Sequence, residues 1–358
     1  MRIPSTPARI PRTSRAPRTS RDPRTPRVPR TAVVALASAV ALAALSGCGT
    51  SEADSSAGSG GKQVTVRIPD PGNAGVLAAG KKDGSLDKAL GKVNAKVAWT
   101  GSSGPFEPSA QAMNADQLDV ATGSITSGIT SLTQTPGFKF FTATAPDGAG
   151  EGILARKGSG IDSVKDLVGR KVAVNKGGTG EYLLLKALAE EGIPPDKVER
   201  VYLRPDQTAS VFNTGKVDAW AVWAAYSVSE LGTGKAHFVT DGKTIGSDNY
   251  SLTAVRTEFA KQHPEVVKAL YRYLHDGSVR QKKDPAAYLN VNTDGGPQAL
   301  TGKAKSVQID FIRQGGTVEP VTDQDVARFE EAAEFYAEQK VTRTKVDVAE
   351  HILDIGKL

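Results

Sequence analysis

From Val64 onward, short apolar runs alternate with stretches whose apolar residues recur every three or four positions. The runs predict strands at 64–68, 96–99, 118–123, 137–144, 151–156, 171–175, 198–203, 217–223 and 250–255. The stretches between them predict helices at 75–84, 109–117, 181–192 and 208–216, each closing near a glycine or a polar turn. Strand and helix in alternation predict an α/β chain built on parallel sheets. From about Thr257 the pattern becomes helix after helix: Pro264 suits a first helical turn, and Thr322 with Asp323 can cap a helix over 322–340. A helical tail of this kind packs on the α/β body rather than standing alone. No repeat of 20–50 residues interrupts the scheme.

The chain of 358 residues has a formal charge of +6, which would point to an anionic partner if it were spread evenly. It is not: residues 1–47 carry nine arginines and one acid, a net of +8, so the rest of the chain stands near −2. Arginine recurs at every third position from Arg9 to Arg30 among Pro, Ser and Thr, a composition that cannot bury a core. A nucleic-acid arm and a long cationic leader are the two readings, and the adjoining segment favours the leader. Ala32–Leu45 is an apolar run of 14 residues, the length of a secretory signal core and short of the ~20 that span a bilayer. It ends in Leu-Ser-Gly-Cys at 45–48, which resembles the lipobox of bacterial lipoproteins, so Cys48 is expected to be acylated. Cys48 is also the single cysteine, which leaves no disulfide and no zinc spacing. The next 13 polar and small residues read as a flexible tether with a span of roughly 20 Å.

The candidate chemistry lies at the carboxyl ends of predicted strands. Asn175–Leu188 reads NKGGTGEYLLLKAL, three glycines and a threonine ahead of an apolar helix. The third glycine of a dinucleotide fingerprint falls on Leu183, and Lys176 precedes the glycines instead of following them, so neither nucleotide motif is met. What remains is a helix N-terminus whose free N–H groups can bind an anion, with Gly178, Thr179 and Gly180 as candidates; a plain helix cap is the competing reading. Thr122, Gly123 and Ser124 form a second turn of the same type, and Asn73 with Ala74 a third, where Asn73 can cap a helix. Ligands of such sheets bind at these ends. In Val217–Tyr226, Trp220 reads as core, whereas Trp223 and Tyr226, where strand becomes helix, are placed to wall an apolar pocket.

Catalysis is poorly supported. His237, His263, His275 and His351 lack metal-ligand spacing, and the pairs Glu190–Glu191 and Glu330–Glu331 read as solvated helix faces. No cofactor and no metal are expected.

Taken in order, the lipobox, Thr122–Ile129, Ser163–Leu188, Val201–Tyr226 and Phe259–Leu270 resemble the nitrate, sulfonate and taurine group of substrate-binding lipoproteins, the aliphatic sulfonate binders above all. The resemblance implies a two-lobed periplasmic-binding-protein fold of type II: α/β, two parallel-rich sheets with flanking helices and a two-strand hinge. It implies a signal segment at 1–47, an anchored tether at 48–61, lobe one at 62–150 plus 253–358, and lobe two at 151–252. EGILAR (151–156) and YSLTAV (250–255) are the hinge candidates. The head group of an organic oxyanion would rest on Thr122, Gly123, Ser124, Gly178, Thr179 and Gly180, and its tail on Trp223 and Tyr226. The implied partners are an ABC permease with its ATPase and the membrane through Cys48; nucleic acid is not among them, and a monomer is expected. Nitrate, taurine, a phosphonate and a thiamine-precursor pyrimidine are the alternative guests. Ala224 stands where the family often has an acid, which argues against a zwitterionic guest. Enzymes on this fold include sulfinate desulfinases, which depend on a cysteine in the body; none follows Cys48.

Overall fold

The computed structural model describes residues 62–134, 136–146 and 148–358. The leader, the tether and Cys48 lie outside them. No helix among the described residues is long and apolar enough to cross a membrane.

The order is β1 (Val64–Pro69), α1 (Val76–Asp83), α2 (Ser85–Gly91), β2 (Ala95–Thr100), α3 (Phe106–Asn114), β3 (Val120–Ser124), α4 (Ile125–Leu132) and β4 (Phe138–Thr144). Next come β5 (Gly152–Arg156), β6 (Lys171–Val174), α5 (Thr179–Glu190), β7 (Glu199–Tyr202), α6 (Pro205–Asn213), β8 (Ala219–Val222), α7 (Ala224–Thr233) and β9 (Ala236–Asp241). The last part holds β10 (Ser251–Arg256), α8 (Thr257–Gln262), α9 (Pro264–Lys283), α10 (Gly302–Gln314), β11 (Glu319–Pro320) and α11 (Asp323–Glu338). Each predicted strand is present to within about two residues at either end; β9, β11, α2 and α10 are additions.

β1 and β2 pair in parallel, a second sheet has the order β11-β4-β10-β3, and a third β7-β6-β8-β5-β9. β6 is parallel to both β7 and β8, while β5 runs against β8 and β9, and β10 against β3 and β4. The third sheet is therefore mixed, and the second, with β11 also running against β4, is antiparallel in every pairing. β5 and β10 are the strands on which the chain enters each sheet from the other, so its direction reverses there. The crossings themselves are residues 242–250 and, of the described residues, 145–146 and 148–151, one step before the strands expected to form the hinge. They are tied to each other by the Gly242 and Lys243 N–H groups, which donate to the carbonyls of Glu151 and Gly148 at 2.8 and 3.0 Å.

Period-2 burial explains the strands: Val66 and Ile68 of β1 are buried against Leu86, Leu90, Leu270 and Leu274. α5 is apolar nearly all round, and Tyr182, Leu183, Leu184, Leu185, Ala187 and Leu188 are all at most 1 % exposed. Such a helix must be covered on more than one face. β6, β8 and β5 lie on one side of it, and Tyr336 with Phe335 of α11 on another, at ring distances of 6.0 and 5.8 Å from Tyr182. Thr322 caps the start of α11 as expected, in a capping box completed by Asp325.

Candidate binding site

A cavity of about 500 Å³ opens between the two larger sheets, within the range that holds a small organic ligand. The N-terminal ends of α3, α4, α5 and α7 meet at its wall, contributing Phe106, Ser124, Thr179 and Ala224. Each N-terminus carries roughly half a positive charge in its unsatisfied N–H groups. Among the described residues that line the cavity there is no lysine, arginine or histidine, and Glu151 is the one ionisable group. Any positive potential at these described residues therefore comes from backbone.

At the β3–α4 junction Ser124 caps α4: its hydroxyl accepts from the Ser127 N–H, and the Ser127 hydroxyl accepts from the Ser124 N–H. This fixes both hydroxyls at the cavity edge. At the β6–α5 junction Gly177 takes φ +64°, where glycine is at ease, and Thr130 sits 2.7 Å from where a Cβ would be. The glycine N–H groups of this turn are already engaged: Gly177 donates to Glu181 Oε2 at 2.7 Å, Gly178 to the Asn175 carbonyl at 3.2 Å, and Gly180 to Asn175 Oδ1 at 2.7 Å. Thr179 alone among the three candidates of this turn reaches the cavity, and its N–H has no acceptor among the described residues.

The predicted residues thus divide. Thr122, Gly123, Ser124, Thr179 and Trp223 line the cavity together. Gly178 and Gly180 shape the turn without lining the cavity, and any Cβ at Gly180 would lie 2.4 Å from the Ala221 carbonyl oxygen. Tyr226 stands behind the wall, edge-on to Trp223 at 5.1 Å. Asn73 and Ala74 belong elsewhere: the Asn73 amide donates to the carbonyls of Thr293 and Gln298 at 2.9 and 3.0 Å and accepts from the N–H groups of Asn292 and Thr293. Ala74 bridges to Leu289. That turn is used to pin the 290s loop to the body. Trp220, 2 % exposed and 6.1 Å from Phe212, is core as expected.

Several wall residues carry no sequence signal of their own. Gln308, Phe311 and Ile312 come from α10, and Asn249 and Glu151 from the two crossings. Glu151 is 6 % exposed and accepts from Ser247 Oγ at 2.5 Å and Asn249 Nδ2 at 2.7 Å. A carboxylate thus faces the cavity from the crossing, although none stands at position 224. A second buried acid, Glu181, lies beneath the glycine turn and accepts also from Arg200 Nη1 at 3.0 Å and the Tyr202 hydroxyl at 2.7 Å. No cluster of three or more metal-ligating side chains occurs among the described residues.

Two sheets facing each other over a cleft walled by helix N-termini, with the chain crossing twice between them, define the periplasmic-binding-protein fold. The comparisons with known proteins return the same resemblance as the motifs. Residues 141–287 match the family model described as NMT1/THI5 like. A Bacillus subtilis (strain 168) protein, provisionally named an aliphatic sulfonates-binding protein, is 28% identical over 85% of this chain and 89% of its own length. The taurine-binding periplasmic protein of Escherichia coli (strain K12) is 32% identical over 40% of this chain and 44% of its own. Among solved structures, the alkanesulfonate-binding protein SsuA of Xanthomonas axonopodis pv. citri, bound to MOPS, superposes with a TM-score of 0.73. It is 20% identical, over 82% of this chain and 99% of that one. The desulfurization enzyme DSZB shares the fold at a TM-score of 0.58 and 16% identity, over 82% of this chain and 98% of its own.

Proposed function

We propose that this chain is the solute-binding component of an ABC importer, and that its cavity takes an aliphatic sulfonate for delivery to the permease and its ATPase. The observation that carries the reading is a cleft where helix N-termini and hydroxyls converge with no cationic side chain among its described lining residues. A sulfonate is a permanent anion with acceptor oxygens only, so neutral donors suffice to hold it, and a wall without a fixed cation lets it leave again. Its head rests on Thr122, Gly123, Ser124 and Thr179, and its alkyl tail lies against Trp223, Phe311 and Ile312. Lobe one, 62–150 with 253–358, and lobe two, 151–252, close on it by bending at the crossings. Acylation of Cys48 holds the chain at the outer face of the membrane, as a monomer. The chain does no chemistry on its guest: no nucleophile–base pair is among the described residues lining the cavity.

A second reading has one observation in its favour: Glu151 on the wall could meet the amine of taurine. Calorimetric titration of the purified protein with hexanesulfonate, ethanesulfonate, taurine and nitrate separates the cases. Heat with hexanesulfonate is expected. Heat with nitrate alone removes the sulfonate reading, and tighter binding of taurine than of ethanesulfonate assigns Glu151 to the amine. Product formed from an aryl sulfinate would make the chain an enzyme.

A further inference from the structure

Glu151 is buried at the point where the two crossings meet, and its role is not that of a direct contact with an anion, which it would repel. Its neighbours suggest another. Asn249, in the second crossing, is 7 % exposed and reaches three groups with one amide. Its Nδ2 donates to Glu151 Oε2 at 2.7 Å and to Thr179 Oγ1 at 3.2 Å, and its Oδ1 accepts from Thr126 Oγ1 at 2.8 Å. Thr126 belongs to α4, under one sheet, and Thr179 to α5, under the other. An amide can be turned over so that N and O exchange places, and hydroxyls are satisfied either way. A carboxylate is not: it only accepts, so it holds the N–H side of Asn249 towards itself.

This choice propagates. With Nδ2 beside it, Thr179 Oγ1 accepts a hydrogen bond and keeps its own proton for another acceptor. Asn249 Oδ1 is the more distant end of the amide, at 3.5 Å from Thr179 Oγ1, and already takes the shorter bond from Thr126. The remaining near neighbours are two hydroxyls, Ser124 Oγ at 3.3 Å on the cavity edge and Thr126 Oγ1 at 3.4 Å, and Ser124 is the nearer. The Thr179 proton is therefore left to turn towards Ser124 and the cavity edge. With the amide reversed, Oδ1 would lie beside Thr179 and draw that proton inward, presenting a lone pair to an anionic guest.

We propose that Glu151 is a positioning residue which, through Asn249, sets the Thr179 hydroxyl as a donor and so makes the cleft select guests that only accept hydrogen bonds. The proposal rests on the oxyanion reading of the cleft. It also gives the second crossing a part in recognition, because Ser247, which donates to Glu151 Oε1 and accepts from the Asn249 N–H at 3.2 Å, locks the same unit.

The test uses the whole protein and two readouts. In the unliganded state, the two Asn249 side-chain amide protons should resonate far apart in a ¹⁵N–¹H spectrum, one displaced downfield by the carboxylate. Glu151→Gln should collapse the separation, and an unchanged pair overturns the proposal. For affinity, measured with hexanesulfonate, Glu151→Gln should weaken binding roughly tenfold, the scale of losing one charge-assisted donor. In a Thr179→Val background the same change should cost less than about twofold, because the group it acts through is gone. Equal losses in both backgrounds overturn the proposal, since a merely structural defect would be additive. If Glu151→Gln does not fold, Thr126→Val removes the opposite anchor of the same amide. It should weaken binding with the same dependence on Thr179, and additivity there overturns the proposal equally. Should the wild type bind no sulfonate while the amide signature collapses in the variant, the functional reading falls and the positioning role stands.

Discussion

Replacing Gly180 by alanine sets two physical effects against each other, and the sign of the result decides which reading of the turn is right. Gly180 is the second residue of α5, and in a helix alanine is favoured over glycine by up to about 1 kcal/mol. Propensity alone therefore predicts a more stable protein. The contacts predict the reverse. An added Cβ would lie 2.4 Å from the Ala221 carbonyl oxygen and 2.8 Å from Asn175 Oδ1, and Ala221 is in the middle of β8, where the backbone cannot move aside. Relief requires α5 to rise off the sheet, against a side of the helix that is completely buried, and forcing a methyl into a packed site of this kind costs about 1–3 kcal/mol. It also breaks the 2.7 Å bond from the Gly180 N–H to Asn175, worth about 1 kcal/mol. The net expectation is a loss of roughly 1–3 kcal/mol. Chemical denaturation of the unliganded variant measures this, and anion affinity should fall with it because Thr179 moves with the turn. A variant as stable as the parent, or more so, would mean that the turn is an ordinary helix cap and that its glycines are not required for close approach.

Two other perturbations probe the charge cluster beside β3 and the wall of the cavity. Burial would raise the Asp119 carboxyl, but the Arg67 and Arg256 guanidinium groups, at 2.7 and 3.0 Å, outweigh it and hold the group below its ordinary value of 3.8. A depressed carboxyl contributes stability above that value and loses it as the pH falls through the folded one. Asp119→Asn should therefore cost about 2 kcal/mol at neutral pH, less than for a fully buried pair because the arginines keep some water, and the difference should fade in acid titrations below about pH 4. A constant difference down to the acid transition would refute it. Trp223 is the one tryptophan on the cavity wall, while Trp220 is buried behind it and Trp99 lies in β2 under Lys81. Trp223→Phe should abolish the change in tryptophan emission on adding hexanesulfonate; a change that persists would place the guest elsewhere.

The sequence announced the strands and the places where strands end, because burial imposes a period that one chain can display. Ser124, Thr179 and Trp223 were legible for this reason: each stands just past an apolar run, where a strand gives way to a helix. Position within the turn was not legible. Gly178 and Gly180 look like donors along the chain, and the folded protein spends their N–H groups on Asn175, a residue that periodicity passes over. α10 escaped because only Phe311 of its 13 residues is buried, which leaves almost no apolar stripe to detect. β9 escaped as an edge strand whose residues are mostly half-buried. Glu151 and Asn249 lie 98 positions apart, and Thr126 and Asn249 123, so their meeting is a property of the closed topology and of nothing local.

The interior of the molecule does not respect its two halves. One apolar cluster runs from Phe138, Phe140 and Ala254 on one sheet through Ile153 and Val174 on the other and Leu184 of α5, and takes in Phe329 and Tyr336 of α11 on the way. The Tyr336 hydroxyl even donates to the Gly178 carbonyl, at 3.2 Å, from behind the glycine turn. The rear of the cleft is thus held by the same packing that stabilises the fold. If the proposed closure takes place, such a molecule would work like a mussel whose ligament is made of shell: whatever stiffens its spine would also narrow how far it can yawn.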